Sequence, residues 1–136
     1  KGSGAEILTG GNRDDSSEGI YYQPTVIANC KQDMRIIQEE IFGPVLPLVE
    51  FEDLDQAIEY ANDSDYGLTS SIFTNNLKTA LKACNEIRFG ETMINRDNME
   101  IFQSFHAGLR KSGIGGADGK HGLYEYMQTH AVYMRA

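Results

Sequence analysis

The sequence predicts an α/β fold, a partial open sheet with crossover helices, on three observations. Short apolar runs alternate with two amphipathic segments in the order strand, helix, strand, helix, strand. The connections are short, which calls for parallel pairing and right-handed crossovers. Only two good crossover helices are present, whereas a doubly wound sheet carries helices on both faces, so the sheet is expected to be incomplete.

Along the chain, Lys1-Gly2-Ser3-Gly4 lacks an initiator Met and reads as a linker, a tag scar or a cut end. Residues 10 to 19 are rich in Gly, Asn, Asp and Ser and should form a hairpin-like loop between short strands near Ile7-Leu8 and Tyr21 to Ile27. Val45 to Phe51 is an apolar run after Gly43-Pro44, and Pro47 within it points to an edge position or a bulge. Asp53 with Gln56 makes a capping-box-like start for a helix whose Leu54, Ala57, Ile58 and Ala61 share one face, ended by Tyr66-Gly67. Leu68 to Thr74 reads as a strand. Asn75 or Asn76 can cap a second helix carrying Leu77, Ala80, Leu81, Cys84 and Ile87, with Gly90 as its stop and a strand at Thr92 to Asn95 beyond. Arg96 to Gly122 is irregular and glycine-rich, followed by a short helix near Leu123 to Gln128 and a terminal strand, Ala131 to Met134.

The 136 residues suit one domain or a piece of one and are enough to bury a core. Twelve Lys+Arg against 20 Asp+Glu leave a net charge of −8 without a basic cluster. Counterion displacement from phosphates needs such a cluster, so nucleic acid and anionic membrane surfaces are not expected partners. No apolar run is long enough for a spanning helix or a signal h-region, and a soluble, cytoplasmic chain is expected. Cys30 and Cys84, with no CxxC spacing and no nearby His, read as buried thiols. Most of the acidity lies before residue 66 and reads as the solvated side of one helix and its entry loop.

Several motifs fail as chemistry. Gly113-Ile114-Gly115-Gly116-Ala117-Asp118 puts Asp where a dinucleotide fingerprint needs its third Gly, and Gly119-Lys120 is followed by His121 rather than Ser or Thr, so neither is a phosphate cradle. Close backbone approach is the better reading of these glycines. His106, His121 and His130 fit no metal-ligand spacing, so no metal is expected. Glu100 and His106 read, from the residues alone, as a solvated carboxylate and a partly buried loop histidine. The most unusual segment is Gln38 to Pro44, where two adjacent carboxylates precede a Gly-Pro turn.

That segment, Glu39-Glu40-Ile41-Phe42-Gly43-Pro44-Val45, resembles the glutamate, phenylalanine, glycine, proline signature in the catalytic domain of NAD(P)-dependent aldehyde dehydrogenases. Tyr22-Gln23-Pro24-Thr25-Val26, Ala61 to Leu68, and Ser112 to Gly115 with Gly122-Leu123 and Tyr126 resemble further family segments in the family's order. Phe105-His106-Ala107-Gly108, then Lys111 to Gly122, is similar to the bacterial lactaldehyde dehydrogenases, which also act on glycolaldehyde. The resemblance implies residues 1–122 as the C-terminal portion of the catalytic domain and 123–136 as a C-terminal helix and oligomerisation strand that makes a homo-oligomer. It implies that Glu40 accepts from the nicotinamide ribose hydroxyls and Phe42 packs beside the nicotinamide, with NAD as cofactor of the longer parent. Glu39 is given a structural hydrogen bond near a helix end. Glu100 and His106 stand where lactaldehyde dehydrogenases contact the substrate hydroxyl, which favours short hydroxyaldehydes over apolar ones.

Gly116-Ala117 stands where most of the family has Arg-Glu. The nucleophilic Cys, the general base, the oxyanion-hole Asn and the dinucleotide domain are expected before this segment, so the chain alone is expected to be inactive and to hold NAD weakly. A non-catalytic interaction or oligomerisation module is the rival reading.

Overall fold

A computed structural model describes residues 3–16 and 18–136; Lys1-Gly2 of the opening tetrapeptide and Ser17 of the hairpin-like loop lie outside the described residues. The chain divides into two compact units, Lys1–Tyr60 and Ala61–Ala136.

The first unit runs β1 (Glu6–Thr9), β2 (Arg13–Asp14), β3 (Tyr21–Tyr22), β4 (Thr25–Ala28), α1 (Arg35–Gln38) and β5 (Val45–Pro47), then enters α2 (Leu54–Asn62). β4 is the centre of a three-stranded sheet, antiparallel to β1 and parallel to β5. The 10–19 segment carries a ladder of its own, Arg13 opposite Tyr22 and Asp14 opposite Tyr21. The strand expected over Tyr21 to Ile27 is therefore broken at Gln23-Pro24, where proline has no N–H to contribute. Thr25 is buried, and its Oγ1 donates to Gln23 O (2.7 Å) and accepts from Gly11 N (2.8 Å), which pins the loop base to the sheet. Pro47 sits on an edge strand, as its missing donor requires. β5 stops there instead of reaching Phe51, although Leu48 N still bonds Ile27 O at 2.8 Å.

α2 begins as its sequence suggests: Asp53 Oδ1 accepts from Gln56 N at 2.9 Å, while the Gln56 side chain accepts from Glu52 N at 2.6 Å, one residue earlier than a strict capping box. Its buried residue is Ile58. The helix ends at Asn62 and not at Tyr66-Gly67.

The second unit contains β6 (Thr69–Ile72), α3 (Leu77–Glu86), β7 (Glu91–Ile94), a 3₁₀ turn at Arg110–Ser112 and α4 (Gly119–Glu125). β6 and β7 pair in parallel from Thr69↔Glu91 to Ile72↔Ile94, with α3 as the connection. Asn76 is the cap, accepting from Lys78 N (2.9 Å) and Thr79 N (3.3 Å). The Asn62 side chain donates to Glu86 O and accepts from Arg88 N, both at 2.8 Å, tying the last residue of α2 to the end of α3.

Several expectations are corrected. Among the described residues the strands pair in three ladders, β1-β4-β5, β2-β3 and β6-β7. Cys30 is buried but Cys84 is exposed: the covered face of α3 runs through Ala80, Ala83 and half-buried Ile87, and Leu77, Leu81 and Cys84 lie to one side of it. Gly90 is not the helix stop, since α3 ends at Glu86 with Ile87 as its cap. Gly90 instead lies just before β7, where backbones meet, and a Cβ there would stand 1.5 Å from Ala107 O. The last helix starts at Gly119, four residues before Leu123. Ala131 to Met134 forms no strand: these residues join no ladder among the described residues. The core is thin: no large side chain is fully buried among the described residues, and the buried apolar set is Cys30, Ile58, Ala80, Ala83 and Ala107. No helix among the described residues is long and apolar enough to cross a membrane.

Candidate functional site

Unit one presents the carboxylate-aromatic turn. α1 is a single helical turn, and Glu39 at its end takes both forks of Arg35 (Nε to Oε1 and Nη2 to Oε2, each 2.8 Å). Those hydrogen bonds hold the Glu39 carboxyl below the usual range. Glu39 is thus committed to a local ion pair, the structural role expected of it. Glu40 is exposed, and its carboxylate has no partner among the described residues. The backbone then turns tightly, Gly43 N donating to Ile41 O at 2.7 Å, and Pro44 O accepts from Thr25 N at 2.8 Å as the chain enters β5. Phe42, on the outside of that turn, is 98 % exposed. A carboxylate free to accept from two hydroxyls beside an uncovered aromatic face suits a ribose carrying a planar ring, so these residues fit the nicotinamide half of a dinucleotide.

Unit two holds the histidine. Glu91 opens β7, and its side chain is only 7 % exposed. A buried carboxylate needs donors. It has two: Thr69 Oγ1 on the adjacent strand (3.2 Å) and His106 Nδ1 (2.8 Å). The His106 backbone is fixed independently by an antiparallel bridge to Ala117, with N–H···O distances of 3.1 and 2.8 Å. The hydrogen bond to Glu91 raises the His106 pKa above the ordinary histidine value; partial burial opposes this, and the charges of Glu91, Glu100 and Asp118 add to the rise.

His106 faces an open groove of about 760 Å³, walled by the glycine-rich run Gly113 to Gly119 and by Leu123 and Tyr126. The glycines are there for close approach: a Cβ on Gly116 would fall within 1.9 Å of the Phe105 ring, and one on Gly119 within 2.6 Å of Gln103 O. Arg110, at a left-handed φ of +57°, anchors the base of this loop, donating to Asn62 O (2.9 Å), Ser64 O (2.6 Å) and Arg88 O (2.9 Å). Its guanidinium also lies 5.6 Å from the Phe89 ring centre.

Of the residues singled out from sequence, Glu40 and Phe42 share one turn. Glu100 and His106 share the second unit, where Glu100 is exposed and acts on His106 through its charge, not through a hydrogen bond. The hydrogen-bonded partner is Glu91, which sequence reasoning passed over. Its signal was a lone acidic residue heading an apolar strand, Glu91-Thr92-Met93-Ile94. Among the described residues no group of three or more His, Cys, Asp or Glu is placed to hold a metal.

A family model described as the aldehyde dehydrogenase family matches residues 1–132. The chain is 58 % identical over 133 residues to lactaldehyde dehydrogenase of Escherichia coli K12, covering 98 % of this chain and 28 % of that protein. It is 41 % identical to 3,6-anhydro-alpha-L-galactose dehydrogenase of a Vibrio species, again over 28 % of that protein. Among solved structures, E. coli lactaldehyde dehydrogenase superposes with a TM-score of 0.95 at 57 % identity, covering 99 % of this chain and 28 % of that one. A Staphylococcus aureus betaine aldehyde dehydrogenase in complex with NAD+ superposes with a TM-score of 0.86 at 41 % identity, covering 92 % of this chain and 25 % of that one. The chain thus spans little more than a quarter of the length of these relatives.

Proposed function

Starting from a chain that belongs to the aldehyde dehydrogenase family, we propose that it is the C-terminal part of an enzyme that oxidises a small 2-hydroxyaldehyde, lactaldehyde or glycolaldehyde, to its acid with NAD. In this reading residues 1–122 complete the catalytic domain, and 123–136, which begin within the end of α4, supply a strand that joins a second copy. The observation that carries the proposal is the 58 % identity to a lactaldehyde dehydrogenase over nearly the whole chain, with His106 set on a groove where a hydroxyl can reach it.

The bound nicotinamide would accept the hydride. This chain's own residues do the positioning. Glu40 accepts from the ribose diol, while Phe42 limits how far the ring can swing. His106 and Glu100 meet the substrate's hydroxyl. A pocket with polar groups left unpaired by an apolar competitor disfavours that competitor, which gives the preference for hydroxyaldehydes. Nucleophile and general base come from elsewhere in the parent, so the 136 residues alone form no NADH.

The test is NADH formation by the full-length enzyme from lactaldehyde, glycolaldehyde and propionaldehyde. The hydroxyaldehydes should be preferred in kcat/KM, and His106→Phe should move the lactaldehyde-to-propionaldehyde ratio toward propionaldehyde by about tenfold or more. An enzyme indifferent to the hydroxyl would overturn the substrate assignment.

A further inference from the structure

The imidazole of His106 has two edges with different fates. Nδ1 lies 2.8 Å from Glu91 Oε2, whereas Nε2 has no hydrogen-bond partner among the described residues and the ring, 31 % exposed, borders the groove. We infer that Glu91 is a positioning residue for His106, holding the Nδ1–H edge so that Nε2 is the edge presented to a substrate hydroxyl. This rests on the reading of His106 as a hydroxyl-binding residue.

Three features support it. Glu91 is rigidly placed: it heads a strand, its N–H bonds Leu68 O (3.1 Å), and its carboxylate is nearly buried. Thr69, directly opposite it in register, donates to the same oxygen, Oε2, that takes the histidine. That fixes the oxygen's location before the ring arrives. The His106 backbone is clamped on both sides of its peptide by Ala117. With main chain and one ring edge both held, little rotamer freedom remains.

The chemistry follows from the acceptor. A carboxylate at Nδ1 requires a proton there, so the neutral ring carries Nδ1–H and offers the Nε2 lone pair to a hydroxyl hydrogen. When the ring is protonated, Nε2–H donates to the hydroxyl oxygen. A hydroxyl both donates and accepts and is served in either state, more strongly by the charged Nε2–H than by the neutral lone pair, so the preference for it falls as the ring deprotonates. A methyl group is served in neither. Without Glu91 the ring can flip or take the other tautomer, and the match is lost in part of the population.

The experiment compares, in the full-length enzyme, the ratio of kcat/KM for lactaldehyde over propionaldehyde in the native protein, Glu91→Gln, His106→Phe and the double variant, from about pH 5.5 to 9. Glu91→Gln should lower the ratio roughly three- to tenfold. It should also move the pH inflection of the ratio down toward the ordinary histidine value, although Glu100 and Asp118, the other charges acting on His106, remain. In the His106→Phe background the same change should have no further effect on the ratio. General damage to the fold would depress both substrates and leave the ratio and its inflection in place. If Glu91→Gln gives no soluble enzyme, Glu91→Asp, which keeps the charge but withdraws it by one methylene, should lower the ratio in the same direction. An unaltered ratio and inflection in the folded Glu91 variant, while His106→Phe still collapses the ratio, overturns the positioning role alone. A ratio indifferent to His106→Phe overturns the functional reading and this inference with it.

Discussion

Replacing Gly90 by Ala tests the junction on which the groove is built. The added Cβ would stand 1.5 Å from Ala107 O, 2.7 Å from Ala107 C and 3.3 Å from Leu68 O. Real Cβ contacts keep at least 3.0 Å, so the Ala107 carbonyl must retreat by 3.0 − 1.5 = 1.5 Å or more. It is buried main chain, not the tip of a side chain, and it follows directly on the His106 bridge to Ala117. Overpacking of this kind costs about 1–3 kcal/mol. Losing the two bridge hydrogen bonds adds about 1 kcal/mol each, for a total of roughly 3–5 kcal/mol. Urea unfolding followed by far-UV circular dichroism measures the loss, and amide exchange should rise across residues 104–117. Gly43→Ala is the control: its Cβ meets nothing within 4 Å and its φ is not left-handed, so stability should stay level or rise by up to about 1 kcal/mol as the unfolded chain stiffens. A Gly90→Ala loss below about 1 kcal/mol, or unchanged exchange at 104–117, would refute the reasoning.

Four further outcomes are expected. Asn76→Ala removes the α3 cap and should cost about 1 kcal/mol, read by the urea midpoint. Arg110→Met leaves three carbonyls without their shared donor and should cost about 2 kcal/mol, with Arg110→Lys restoring little because a single ammonium cannot span them. The His106 pKa is raised by folding, so its stabilising contribution is fully present below the unfolded value near 6.5 and fades as pH rises through the folded value. Native protein should therefore lose stability relative to His106→Gln as the pH rises from the unfolded value near 6.5 through the higher folded value, as measured by paired melts. In the full-length parent, Glu40→Gln should slow single-turnover hydride transfer by about tenfold and Glu39→Gln by less, since Glu39 is already engaged with Arg35.

What could be read from sequence was what is decided locally. The Asp53 and Asn76 caps were legible because a cap is satisfied by backbone N–H groups two or three residues away. The edge position of Pro47 was legible because a missing donor restricts where a residue may pair. The solvent side of α3 was not: Leu77, Leu81 and Cys84 look like core by spacing, and whether they are covered depends on surfaces outside the helix. The Glu91–His106 contact was hidden for a related reason. Its residues lie fifteen positions apart on a strand and a loop, joined only by the return of the chain past Gly90. The turn bearing Glu40 and Phe42 stood out by composition, yet its outward orientation needed the Thr25–Pro44 bond to be seen.

The end of the chain has an unsettled conformational account. Residues 128–136 belong to no helix, ladder or bridge, and Val132, Tyr133 and Met134 stand in solvent. Fixing the four residues Ala131 to Met134 as a strand costs roughly 4–8 kcal/mol of backbone entropy, at 1–2 kcal/mol each. Nothing within the described residues offsets it. Any strand completed there by a second molecule is consequently a second-order event, half formed at a protein concentration equal to its dissociation constant. The same few residues would then be coil in dilute solution and sheet in concentrated solution. In such an assembly their secondary structure would follow concentration as much as sequence.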